Sequence, residues 1–91
     1  MDKIIKSRET IDFIDNNILV LLKERFEIVK KIKEIKIKNK IEILDKEREK
    51  NIYDNIYNNF NEYYIYFKPI FEIILKESKI YQSNRITITD L

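Results

Sequence analysis

The sequence has no cysteine, no histidine and no glycine, and its one proline is Pro69. Without cysteine or histidine, disulfides and the usual zinc sites are excluded. The missing cysteine is also compatible with a reducing cytoplasm, the expected location. Without glycine, hairpins and sharp turns lack their usual residues, which argues against a β-rich fold. No apolar run approaches the ~20 residues that cross a bilayer, and nothing has the pattern of a signal peptide, so no membrane role is expected. Base exceeds acid by only +2, too balanced for a general nucleic-acid binder.

What is present is a chain of 91 residues rich in Ile, Lys and Asn. A single core of this size rarely stands alone, and with no disulfide or metal to staple it, association with another chain is the expected source of buried surface. Isoleucine would by itself suggest strands, so periodicity must decide.

From Ile4 to about Lys38 the periodicity is helical. Ile4, Ile11, Ile14, Ile18, Leu21, Ile28, Ile32 and Ile35 step by three, four or seven, with charge on the other faces. A helix of that length is a rod of roughly 50 Å, too long for so small a globule to cover. A second chain should lie along it. Asn39 is the expected stop, because Asn tolerates the left-handed conformation, and residues 39–44 are read as a connection. Asp45 suits an N-cap, with Glu47 and Glu49 in the favourable first turn. A second helix is expected from Lys46 to near Phe60, with Ile52, Ile56 and Phe60 on one face, followed by a turn in the Asn-rich segment 58–61. The third helix should start between Tyr64 and Lys68, keep Pro69 within about its first turn, and carry Phe67, Phe71, Ile74 and Leu75 as its stripe through Ser78 to Gln82. Residues 85–91 alternate like a strand without a partner and are read as a tail. The expected organisation is one all-α domain over 1–84 with three helices per chain, the first very long, and a C-terminal tail over 85–91.

Three features do not fit a plain bundle. Arg25 falls in the seam of the first helix, seven residues from both Ile18 and Ile32, and Lys36 lies four past Ile32. Eleven residues is almost three whole turns, so Arg25 and Lys36 project in nearly the same direction. A charge facing a core is costly unless paired. Arg25 could pair with a carboxylate of a neighbouring helix, and Lys36 could snorkel to solvent. Ser78 and Gln82 then stand one turn apart on the inner stripe of the third helix, where a buried amide needs partners; alternatively that helix end is exposed. Finally, among eighteen basic residues only Arg8, Arg25, Arg48 and Arg85 are arginine, and a retained arginine suggests use of its planar fork. Surface charge remains the default for any one of them. Together these features describe a positively lined pocket inside a helical bundle, suited to a small dianion.

At this point the chain resembles the all-helical chorismate mutase family over about residues 4–83. The family's R-x-x-I-D-x-I-D is present as Arg8-Glu9-Thr10-Ile11-Asp12-Phe13-Ile14-Asp15, and L-L-x-E-R as Leu21-Leu22-Lys23-Glu24-Arg25. Lys36 follows, then D-x-x-R-E as Asp45-Lys46-Glu47-Arg48-Glu49, then E-S-x-x-x-Q as Glu77-Ser78-Lys79-Ile80-Tyr81-Gln82. Each piece is weak alone; their order and spacing are not. The tail 85–91 has no counterpart in that pattern.

The resemblance implies an intertwined helical homodimer in which two long first helices cross. Arg25, Lys36, Arg48, Ser78 and Gln82 would line one pocket, and Arg8 would enter from the partner chain. Helix geometry agrees, since Arg8 and Arg25 lie some 25 Å apart along one axis and about 100° out of phase. The implied reaction is the rearrangement of chorismate to prephenate in aromatic amino acid biosynthesis, on the shikimate pathway, with no cofactor and no metal. Arg8 and Arg25 would hold the two carboxylates with help from Ser78, and Lys36 and Gln82 would donate to the ether oxygen. Glu49 would accept from the ring hydroxyl, with Asp45 and Arg48 positioning that side; alternatively Asp45 and Glu49 are only a helix cap and a surface ion pair. Two other functions compete: an isochorismate pyruvate-lyase on the same scaffold, and a non-catalytic helical dimerisation or regulatory module.

Overall fold

The computed structural model of the chain describes residues 1–40 and 45–83. Helix α1 spans Asp2–Asn39, α2 Lys46–Asn59 and α3 Tyr64–Ser83, with a 3-10 turn at Asn61–Tyr63 before α3. No strand occurs among the described residues, so the all-α expectation with one long first helix holds. The segment 41–44 of the expected connection and the expected tail 85–91 lie outside the described residues.

Helix α1 has 38 residues without glycine or proline, about 57 Å of uninterrupted rod. Asp2 in its first turn and Lys36 and Lys38 in its last complement the helix dipole. The expected stop is displaced by one residue. Asn39 stays helical and its Nδ2 donates to the Ile35 carbonyl at 2.9 Å. The left-handed residue is Lys40, at φ 57° and ψ 39°, whose N–H closes onto the Ile37 carbonyl. Asparagine's usual advantage in that conformation is given up because its amide is already used inside the helix.

Only the C-terminal half of α1 packs within the protomer. Every residue from Met1 to Leu21 is exposed. Beyond it, Leu22, Arg25, Phe26, Val29, Lys33 and Lys36 are buried or half-buried, a stripe at helical spacing that meets α3. Phe26 packs edge-on against Tyr81 with ring centroids 5.2 Å apart. The expected seam is rotated about a quarter turn from this stripe. Its members run from 40% exposed at Ile32 to 62% at Leu21, so the protomer alone leaves that face uncovered.

Helix α2 begins as the sequence predicts. The Asp45 Oδ1 accepts from the Arg48 N–H at 2.9 Å, with Glu47 and Glu49 in the first turn. It ends one residue before Phe60, whose N–H still reaches the Ile56 carbonyl. A ladder of rings holds the corner into α3: Tyr57 against Tyr64 at 5.4 Å, and Phe67 against both Phe60 and Tyr63. The chain of this corner is tight enough that α3 starts at Tyr64, and Pro69 becomes its sixth residue. The start lies at the early edge of the expected Tyr64 to Lys68, which puts Pro69 just past the first turn. The donor Pro69 lacks would have met the Ile65 carbonyl, and Ile65 lies exposed, where water can take that acceptor. Helix α3 packs against both α1 and α2. The apolar core is correspondingly thin: Val29, Ile56 and Leu75 are buried, and the buried polar residues are Ser78 and Gln82.

Candidate functional site

A cavity of about 580 Å³ opens where the C-terminal half of α1, the first turns of α2 and the second half of α3 converge. Arg25 and Lys36 reach it from α1, Asp45, Arg48 and Glu49 from the start of α2, and Ser78 and Gln82 from α3. These are the in-chain residues singled out from the sequence, and they line one wall system. Arg8 is not among them. It is exposed on the free half of α1, so the geometry does not bring it to this cavity within one chain.

Arg25 is the most constrained of the charges. Its Nη1 donates to Ser78 Oγ at 2.6 Å, and that hydroxyl donates to the Ile74 carbonyl at 2.7 Å. The guanidinium therefore rests on a neutral hydroxyl of α3, which takes one of its five N–H donors. Burial holds its pKa below the usual arginine value, and the nearby charge of Arg48 lowers it further. Two arginines sharing a half-buried wall cost stability unless an anion joins them. A smaller cavity of about 250 Å³ adjoins the first, with Arg25 and Arg48 common to both.

Gln82 is buried one turn beyond Ser78 and lines the cavity with it. Lys36 stands half-buried on the same face of α1 as Arg25. Asp45 serves as the cap of α2 and also lines the cavity, so the cap reading and the pocket reading coincide. Glu49 is half-buried, and its Oε1 forms an ion pair with the Lys79 ammonium of α3. That oxygen is otherwise buried without a directional hydrogen bond; its neutralisation is ionic.

Lys79 lines the cavity and the sequence reading passed it over. It sits on the stripe Leu75, Ser78, Lys79 and Gln82, spaced i, i+3, i+4 and i+7, which would have flagged it. Glu24 was also passed over. The apolar wall is supplied by Val29, Ile52 and Leu75, and by Leu21, Ile28 and Ile32 of the uncovered seam. Because those last three are the exposed ones, the cavity is open on the side where the seam lies. Chemically, the arrangement offers cationic and amide donors facing a compact space, with carboxylate acceptors at Glu24, Asp45 and Glu49.

Known proteins resemble the chain as follows. The profile of the family chorismate mutase type II matches residues 7–83. A chorismate mutase of Methanocaldococcus jannaschii is 37% identical over 92 residues, covering 98% of this chain and 93% of that protein. A bifunctional chorismate mutase/prephenate dehydratase of Buchnera aphidicola subsp. Schizaphis graminum is 38% identical over 84 residues, covering 87% of this chain and 21% of that protein. No solved structure matches the chain significantly.

Proposed function

The chain belongs to the chorismate mutase type II family and has that family's activity, and from this premise we propose how its cavity turns chorismate into prephenate. The rearrangement is intramolecular, one carbon–oxygen bond breaking as a carbon–carbon bond forms. It asks for no nucleophile and no proton transfer. Two effects then lower the barrier: holding a flexible dicarboxylate in its compact, reactive shape, and stabilising the negative charge that grows on the breaking ether oxygen.

The observation that carries the reading is Arg25, half-buried, braced by Ser78 and crowded by Arg48, in a cavity whose size suits a small molecule. A carboxylate placed there relieves the repulsion and takes the unused fork of the guanidinium. Lys36 and Gln82, three turns further along α1 and one turn further along α3, donate to the ether oxygen. Glu49 accepts from the ring hydroxyl, and Asp45 and Arg48 orient that side of the ring.

The second carboxylate needs another cation, and Arg8 of the partner subunit supplies it. Support comes from the uncovered seam of α1 and from the cavity's opening on that side. In this reading two copies cross along α1, burying the seam of each and closing both cavities against water. A dry site strengthens every charge interaction within it. Aromatic amino acid biosynthesis is the setting of the reaction, and the cytoplasm its place.

The test is to follow chorismate consumption by the purified chain and identify the product. Prephenate is expected. Pyruvate released from isochorismate instead would favour the lyase, and no turnover of either would favour a non-catalytic helical dimer.

A further inference from the structure

We propose that Lys79 determines the specificity of this site by cancelling the charge of Glu49, so that a pocket containing a carboxylate acceptor can still admit a dianion. The inference rests on the mutase reading above and deepens it. The two requirements of that reaction conflict. A ring hydroxyl is best held by a carboxylate, yet an uncompensated carboxylate repels a ligand carrying two of its own. In a half-buried wall that repulsion is weakly screened.

The structure holds both demands in one contact. Lys79 on α3 and Glu49 on α2 form an ion pair inside the cavity, with the two side chains 43% and 25% exposed. The Glu49 oxygen facing the ammonium is buried and has no hydrogen-bond donor besides that ammonium among the described residues, so the ammonium is what makes its charge tolerable there. Among the described residues the cavity wall carries four cations, Arg25, Lys36, Arg48 and Lys79, against three carboxylates, Glu24, Asp45 and Glu49. Without Lys79 the wall this chain supplies is neutral, and the selection of a dianion over its uncharged look-alikes would fall to Arg8 of the partner subunit alone. Lys79 lies at a position that the family pattern leaves open, between Ser78 and Gln82. Its ammonium rests on Glu49 and so is not a direct ligand for the substrate carboxylates.

Binding of prephenate, measured by calorimetry, separates this role from the alternatives, with chorismate kinetics alongside. Lys79→Met should bind prephenate at least about tenfold more weakly, with KM for chorismate rising in step and kcat changing far less. Lys79→Arg should recover most of the loss. The double variant Glu49→Gln/Lys79→Met removes both charges together and, although it also gives up the carboxylate acceptor, should bind prephenate at least about threefold more tightly than Lys79→Met. If Lys79→Met binds like the wild type, or if the double variant stays as weak as Lys79→Met, the proposal is wrong; the second result would make Lys79 a direct ligand. Lys79→Gln applies the same charge test should the methionine variant fail to fold. A wild-type chain that turned over no chorismate would overturn the mutase reading, and this inference with it.

Discussion

Arg25 shows how one residue trades stability for function. Its pKa is lowered because burial and Arg48 penalise the charged form, and an arginine stays charged across the working pH range. The penalty is therefore present at every ordinary pH, and removing the charge rather than changing pH exposes it. Arg25→Met should leave the thermal midpoint of the ligand-free protein unchanged or higher while abolishing prephenate binding; a large fall in Tm would show that the Ser78 bond outweighs the burial cost. Gln82 allows a test with the opposite logic. Only an N–H or a protonated carboxyl can donate to the ether oxygen, so Gln82→Glu should confine activity to acidic pH, with kcat falling as the carboxyl ionises. A flat pH–rate profile would remove Gln82 from that contact. Both residues were visible in the sequence because a polar side chain on an apolar helical stripe contradicts its surroundings. Lys79 shares the stripe of Leu75, Ser78 and Gln82, so its place was legible, but its role was not until the fold set Glu49 opposite it.

At the scale of elements, the unusual feature is the end of α1. Lys40 adopts a left-handed backbone conformation that costs a side-chain-bearing residue roughly 1–2 kcal/mol and glycine almost nothing. Lys40→Gly should raise stability by about 0.5–1 kcal/mol in urea unfolding, after glycine's greater unfolded-state freedom is allowed for. A loss of stability would mean that the lysine side chain contributes more than its strained backbone costs. Helix limits were otherwise readable where a specific side chain fixes them, as Asp45 does for α2. They were less readable where competition decides. Asn39 looked like the better left-handed residue, but its amide bonds back to Ile35. Pro69 looked like a first-turn residue, but α3 starts at Tyr64, the first residue of the expected range, where Tyr57, Tyr63, Tyr64 and Phe67 pack, and Pro69 falls just past the first turn. In α1 the seam is the more apolar face, whereas the stripe facing α3 mixes Leu22, Phe26 and Val29 with Arg25, Lys33 and Lys36, so periodicity alone points to the wrong face for the contact within the chain.

The described chain measures 56 × 38 × 18 Å, with a thin core where α2 and α3 pack on the C-terminal half of α1 and an uncovered apolar seam along α1. We read that seam as the meeting surface of two copies, with Arg8 of the partner subunit completing each cavity. Mixing equal amounts of Arg8→Ala and Arg25→Ala chains, each inactive alone, should then restore about a quarter of the wild-type activity, because half the dimers are mixed and each carries one intact site. Absence of recovery after confirmed subunit exchange would make each site self-contained. The claim on which the rest depends is narrower: fixed donors in this cavity act on charge that appears only as the ether bond breaks. Lys36→Ala tests it most directly through the steady-state kinetics of chorismate. The account predicts that kcat falls at least about a hundredfold while KM moves much less, as expected when an interaction of the transition state is lost. A raised KM with kcat intact would contradict it.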